Sequence, residues 1–252
     1  MGNKKKEVGV VERTGYCAIE VGNQFCWTMV STYLSVFYTD VVGLAPAVVS
    51  IILLIARIWD GVNDPMMGAI AEKTNTKFGK YRPYLIFGAP AVAIFSILTF
   101  SKIHATMPLM IAYAAVTYIF CGMAYTAVCI SQGSLGNVMT RNLQTRVELN
   151  SLRQMGNGIT GLVISTISMP LILYFGNGST SSARGYFYTN IIFAVLGAAA
   201  VIFGGVSCKE RVIKDTKVKT PGLVESFSYV LKNKNVLLIV VNGIFTAGAI
   251  LG

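Results

Sequence analysis

Charged side chains are scarce in this 252-residue chain, where they make up 13% of all residues. A soluble domain carries about 25% charged residues, whereas 54% of this chain is hydrophobic and its mean hydropathy is +0.60. So little charge cannot cover the surface of a water-soluble fold with this apolar content. The composition therefore predicts an integral membrane protein with the lipid bilayer as its partner.

Residues that bind metals or perform acid–base chemistry are also few. His104 is the only histidine, and the five cysteines form neither a CxxC pair nor a cluster with it. These spacings exclude a zinc site, a disulfide framework and a nucleophile–histidine pair. The remaining enzymatic alternative is an intramembrane hydrolase, which needs two carboxyls facing each other, normally from different helices. We expect no enzyme and no cofactor.

Basic residues give the chain a formal net charge of +10, but they gather in clusters between the apolar runs. No aromatic-rich basic surface is apparent, so we expect no nucleic-acid partner. The clusters precede the first apolar run and follow the second, fourth and sixth, whereas the opposite loops contain only Lys102 and Arg184. The positive-inside rule then places the N-terminus in the cytoplasm. We expect a multi-pass protein of the plasma membrane.

Apolar runs of about 20 residues, the length that crosses a bilayer, divide the chain. Six complete spans are predicted at 16–38, 46–71, 84–103, 108–131, 149–175 and 186–208. The predicted organisation is a cytoplasmic N-terminus at 1–15, an all-α six-helix transmembrane bundle at 16–208, a central cytoplasmic loop at 209–235 and a truncated seventh helix at 236–252. A long basic connector after six spans is typical of the midpoint of a six-plus-six transporter.

The second span carries charge at bilayer depth, within the run RIWDGVNDPMMG at 57–68. Arg57, Asp60 and Asp64 are spaced three and four apart, so on a helix they share one face. Ionised groups at this depth are costly unless paired, and they usually mark an ion or substrate pathway. The two carboxylates and the amide oxygen of Asn63 could share a monovalent cation, or the pair could hold one proton. The alternative is a packing salt bridge between Arg57 and Asp60.

Other polar residues form stripes along the first and fourth spans. The stripes repeat every three to four residues: Glu20, Asn23, Gln24 and Trp27 in the first span, and Tyr125, Thr126, Cys129 and Gln132 in the fourth. Amides beside an indole suit a sugar, and hydrogen bonding between helices explains the same pattern equally well. Arg153, near the start of the fifth span, either snorkels to the cytoplasmic interface or reaches the carboxylates of the second.

Four segments of the chain resemble one family. They are RIWDGVNDPMMG at 57–68, KFGKYRPY at 77–84, YTDVVGL at 38–44 and GMAYT at 122–126. Together they are similar to the glycoside–pentoside–hexuronide:cation symporters, the melibiose-permease-like members of the major facilitator superfamily. The resemblance implies the N-terminal half of a cation-coupled sugar symporter, with a six-helix bundle and the start of a seventh helix.

The resemblance also implies roles for individual residues. The coupling Na⁺ or H⁺ would be bound by Asp60, Asp64, Asn63 and Thr126, with Asp60 and Asp64 as the metal ligands if the ion is Na⁺. A sugar or glycoside would be bound by Arg153 and Tyr125, to which we add Gln24, Asn23 and Trp27 of the first span. A gating or charge network would contain Arg57, Glu72, Arg82 and Arg146.

Three positions depart from the family pattern. Gln24 replaces a sugar-binding aspartate, Cys129 replaces a fourth-helix aspartate, and Gly133 replaces a stacking tryptophan. Galactoside specificity therefore does not carry over, and the less negative cation site could favour H⁺ over Na⁺. Glu20, one turn from Gln24, is a candidate to compensate.

The family has twelve spans in two halves, with the site between the halves. We expect the chain to be a fragment of a longer reading frame, whose missing C-terminal half is its partner. The alternative is a non-transporting half-size sensor or assembly partner.

Overall fold

The computed structural model describes residues 8–212 of the chain. The predicted seventh helix at 236–252 and most of the predicted loop at 209–235 lie outside this range. The helices are α1 (Val10–Val36), α2 (Pro46–Lys73), α3 (Arg82–Thr99), α4 (Met107–Met139), α5 (Leu143–Phe175) and α6 (Ala183–Ser207). A π-helical segment, Phe37–Val42, extends α1, and between residues 8 and 212 the only β pairing is a single bridge from Thr76 to Gly79. The prediction of an all-α fold is confirmed.

Proline, asparagine and glycine mark several of the helix boundaries. Pro46, Pro83 and Pro108 lie in the first turns of α2, α3 and α4, where a missing N–H removes no helical hydrogen bond. The side chain of Asn142 caps α5 by accepting hydrogen bonds from two backbone N–H groups of the first turn. Gly43 ends the π-helical segment at a φ of 88°, a left-handed conformation that favours glycine.

Five of the helices, α2 to α6, are long and apolar enough to cross a membrane. α1 is 27 residues long but carries the polar stripe of the first span, and it is not among the five. Each of the six predicted spans overlaps one helix. The largest boundary error is at the end of α4, which runs to Met139, while α1 and α5 begin earlier than predicted, at Val10 and Leu143. Helical hydrogen bonds continue through polar turns that hydropathy leaves out.

The packing of the helices decides which polar faces meet. α1 packs against α5 and α6, α2 packs against α4, and α3 lies against α4 and α6. The approach of α1 to α6 is close enough that a Cβ atom at Gly22 would clash with the carbonyl oxygen of Gly197, and one at Gly204 with that of Gly15. Small residues at such crossings are typical of membrane helices. This crossing fixes α1, which presents its polar stripe to α4 and α5.

Candidate functional site

The acidic face of α2 meets α4 at Asp64. The hydroxyl of Thr126 donates a 3.0 Å hydrogen bond to Asp64 Oδ1, so two of the four predicted cation-binding residues are in contact. Asp60 lies one turn earlier, and its Oδ1 is 3.4 Å from where Gly122 would carry a Cβ atom. Asn63 is 2% exposed, and its Nδ2 has no hydrogen-bond partner within residues 8–212. The four predicted residues therefore lie along the contact between α2 and α4.

Arg57 compensates only one of the two carboxylates. Its Nη1 lies 3.6 Å from Asp60 Oδ2, and its guanidinium carbon lies 5.8 Å from the ring centroid of Trp27, within the range of a cation–π contact. Asp64 forms no salt bridge in the described part of the chain. One negative charge therefore stays uncompensated there. Carboxylate and hydroxyl oxygens are the ligands that hard cations prefer.

α1 and α4 also bring two aromatic rings together. Trp27 and Tyr125 stack with their ring centroids 4.3 Å apart and an interplanar angle of 13°. The two amides of the first-span stripe both have hydrogen-bond partners, one on α4 and one within α1. Asn23 Nδ2 donates to Gln132 Oε1 at 2.8 Å, and Gln24 Oε1 accepts from a hydroxyl one turn later at 3.2 Å. The interhelical hydrogen bond that the sequence left open is thus present at Asn23, while Gln24 stays half-buried.

Arg153 has a partner that the sequence reasoning missed. Its Nε lies 3.0 Å from Oε2 of Glu20, and Asn157 Nδ2 donates to Glu20 Oε1 at 2.9 Å. This differs from both environments predicted for Arg153, the lipid interface and the carboxylates of α2, because α5 packs against α1 rather than against α2. The available signal was the one-turn spacing of Arg153 and Asn157, together with a single acidic residue in the first span.

Two of the predicted gating residues bind the ends of helices. Arg82 donates from Nε and Nη2 to two carbonyl oxygens in the last turn of α6, at 2.8 and 3.0 Å. Arg146 donates in the same way to two carbonyl oxygens at the end of α4, both at 2.9 Å. Cations at these positions compensate the helix dipoles and the carbonyls that lack helical partners. Glu72 is exposed and forms no salt bridge among residues 8–212.

Two acidic residues that were not predicted from the sequence form hydrogen bonds and an ion pair at the end of the bundle where Arg82 and Arg146 lie. Glu210 accepts hydrogen bonds from the backbone N–H groups of residues 80–82 at 2.8 to 3.1 Å. Glu12 Oε2 lies 2.8 Å from Nη2 of Arg211. Burial alone would raise the pKa of Glu12, but hydrogen bonds from Arg211 and a backbone N–H hold that pKa below its ordinary value. The first residues of the predicted central loop are therefore tied to α1 and α3.

Comparison with known proteins decides the family. Residues 15–252 match the family model described as MFS/sugar transport protein. The chain belongs to this family. The isoprimeverose transporter of Lactiplantibacillus pentosus is 36% identical over 238 residues, which cover 94% of this chain and 50% of that protein. The uncharacterized symporter YnaJ of Bacillus subtilis (strain 168) is 35% identical over 225 residues, covering 88% and 49%. The glucuronide carrier protein homolog of Escherichia coli (strain K12) is 28% identical over 234 residues, covering 91% and 50%.

The chain thus spans about half the length of these relatives in the MFS/sugar transport family. Membership of that family confirms the resemblance found in the motifs, and it agrees with the multi-pass, all-α architecture. The family consists of transporters, so the expectation that the chain is not an enzyme is also confirmed. The roles assigned to individual residues stay predictions.

Proposed function

We propose that the chain is the N-terminal half of a sugar or glycoside symporter of the plasma membrane, driven by Na⁺ or H⁺. The family supports sugar transport, and the relatives, about twice as long as the chain, support a C-terminal half as its partner. The basic loops support a cytoplasmic N-terminus. The arrangement of side-chain oxygens between α2 and α4 supports binding of the coupling ion.

The observation that carries the proposal is the pairing of Asp64 with a hydroxyl group instead of a cation. The Thr126 hydroxyl donates a hydrogen bond to one oxygen of Asp64, but a neutral hydroxyl does not compensate the negative charge of Asp64. Arg57, in contrast, compensates the charge of Asp60. An uncompensated charge within a bilayer is costly, so the site gains free energy by binding a monovalent cation or a proton. The side-chain oxygens of Asp60, Asp64, Thr126 and Asn63 supply the ligands for a transported Na⁺.

The sugar site rests on α1, α4 and α5. Trp27 and Tyr125 supply aromatic surface for the C–H face of a sugar ring. Gln24 and Arg153 supply donors for hydroxyl groups, and Asn23 holds α1 in register with α4. The relatives include an isoprimeverose transporter and a glucuronide carrier homolog, which supports a glycoside as the substrate class.

Arg57 connects the two parts of the site. It lies near both the carboxylate of Asp60 and the indole ring of Trp27, so a cation bound at Asp60 would release the guanidinium from its carboxylate. Occupation of the cation site would then change the charge beside the aromatic stack. At the other end of the bundle, Arg82, Arg146 and Glu72 would form the charge network that closes the cytoplasmic side.

Neutralising the acidic residues of α2 tests the proposal. In the complete reading frame, Asp60→Asn and Asp64→Asn should each abolish sugar uptake driven by a Na⁺ or H⁺ gradient, because the ion loses a charged ligand. Asp40→Asn is the matched control, since Asp40 is exposed and its Oδ1 accepts a hydrogen bond from the neighbouring Thr39. Uptake would be measured with a radiolabelled glycoside in membrane vesicles. Gradient-driven uptake that persists in both α2 variants would refute the assigned cation site.

A further inference from the structure

One buried carboxylate takes no part in the proposed cation site. Glu20 is 6% exposed, and its polar partners in the described range are both on α5. Arg153 Nε lies 3.0 Å from Oε2, and Asn157 Nδ2 donates to Oε1 at 2.9 Å. Residues 153 and 157 are one helical turn apart, so they hold a single carboxylate between them.

The contact between α1 and α5 is tight around this carboxylate. A Cβ atom at Gly156 would lie 2.9 Å from Cys17 Sγ, and the same thiol donates to the carbonyl oxygen of Leu152 at 3.4 Å. Such close packing keeps bulk water away from Glu20. Its negative charge therefore depends on Arg153 for compensation.

Arg153 is held less firmly than Glu20. Its side chain is 33% exposed, and its Nε forms no aligned hydrogen bond within residues 8–212 despite lying close to Glu20. The contact is therefore an ion pair without an aligned hydrogen bond at Nε, and the guanidinium also forms a hydrogen bond with the Tyr16 side chain. A guanidinium has five N–H donors, and in the proposed function these donors bind the hydroxyl groups of the sugar. The substrate and Glu20 thus compete for the same cation.

We propose that Glu20 is a proton-binding site, separate from Asp60 and Asp64, that takes a proton from solvent when the substrate draws Arg153 away. The inference rests on the proposed role of Arg153 as a substrate ligand. A buried carboxylate without its cation is poorly solvated and becomes neutral by protonation. Asn157 can donate its hydrogen bond to either form. Binding of the proton and of the substrate therefore favour each other.

The surroundings of Glu20 contain no competing charge in the part of the chain that the structure describes. The titratable neighbours on α1 are Tyr16 and Cys17, those on α4 are Tyr125 and Cys129, and α5 contributes Arg153. All but Arg153 are neutral groups at pH 7. The α6 residues that pack against α1 here, Gly197, Val201 and Gly204, have no titratable group. Among these neighbours, Arg153 is therefore the charged group that faces Glu20.

Infrared spectroscopy on the purified 252-residue chain tests the proton site without any sugar. Arg153→Gln removes the cation, so a carbonyl stretch of a protonated carboxyl should appear at pH 7 and should vanish in the Arg153→Gln/Glu20→Gln double variant. Arg153→Lys keeps the charge and should show no such band. Circular dichroism establishes that each variant is folded. A folded Arg153→Gln variant without the band would overturn the proposal.

Calorimetry on the complete reading frame tests the link to substrate. Titration with a glycoside in two buffers of different ionisation enthalpy should show proton uptake on binding, and Glu20→Gln should take up one proton fewer than the unsubstituted protein under the same conditions. The affinity of the unsubstituted protein should fall with rising pH, by at most about tenfold per unit for one linked proton. Equal proton uptake in Glu20→Gln would overturn the proposal. If no glycoside binds at all, the proposed function fails, whereas the infrared result on Glu20 stands by itself.

Discussion

Asp64 and Thr126 are the residues whose chemistry the proposed ion coupling needs most. The threonine hydroxyl donates a hydrogen bond to the carboxylate, so the lone pairs of the hydroxyl oxygen stay available to a bound cation. A threonine that only packed between helices would need its methyl group and not its hydroxyl.

Two substitutions at Thr126 separate these roles. Thr126→Val keeps the shape but removes the hydroxyl, and we expect the concentration of cation that half-saturates uptake to rise about tenfold or more, as for lost groups around metal sites. Thr126→Ser keeps the oxygen and should stay close to the unsubstituted protein. The measurement is glycoside uptake against Na⁺ concentration and, separately, against pH. Indistinguishable curves for the two variants would contradict a role for the hydroxyl.

Which residues pair could be predicted only in part from the sequence. The spacing of Arg57, Asp60 and Asp64 places them on one helix face, and the structure has them so, because the pattern lies within one helix. The pair of Glu20 with Arg153 was missed because it joins α1 to α5. Spacing within a helix fixes which side chains share a face, but it does not identify the helix that the face meets.

For the helices, too, one part could be predicted from the sequence and another could not. Hydropathy located all six helices of residues 8–212, since each must present apolar side chains to lipid or to a neighbour. It did not locate their ends near residues 139 and 143, where polar turns continue the helical hydrogen bonds. Glu210, which joins the segment after α6 to the start of α3, and Arg82, which binds the last turn of α6, lie in segments that hydropathy treats as loop.

The crossing of α1 and α6 gives a prediction at the scale of elements. Gly22→Ala places a Cβ atom against the backbone of Gly197 and 2.7 Å from Val201 Cγ2, so we expect a loss of about 1 to 3 kcal/mol of stability. Gly158→Ala is the matched control, because no described atom beyond the adjacent backbone of its own helix lies within 4 Å of its added Cβ. Thermal unfolding in detergent measures both. Equal unfolding temperatures for the two variants would show that the close approach does not contribute to stability.

At the scale of the whole described bundle, α2 and α5 both carry open apolar faces. Ile58 and Val62 on α2 and Leu162 on α5 are more than half exposed, which would be costly in water and is ordinary against lipid or another helix bundle. The relatives are about twice the length of this chain. A second half packed beside these helices would complete the proposed sugar and cation sites.

The central claim is that uphill movement of a glycoside is coupled to a cation through this half. Its most direct test is accumulation of a labelled glycoside in vesicles that contain the complete reading frame, with an inward Na⁺ gradient, an inward H⁺ gradient or neither. We expect accumulation above the outside concentration with one of the two gradients, and its collapse when an ionophore dissipates that gradient. Transport that only equalises the two concentrations, with or without a gradient, would contradict cation coupling.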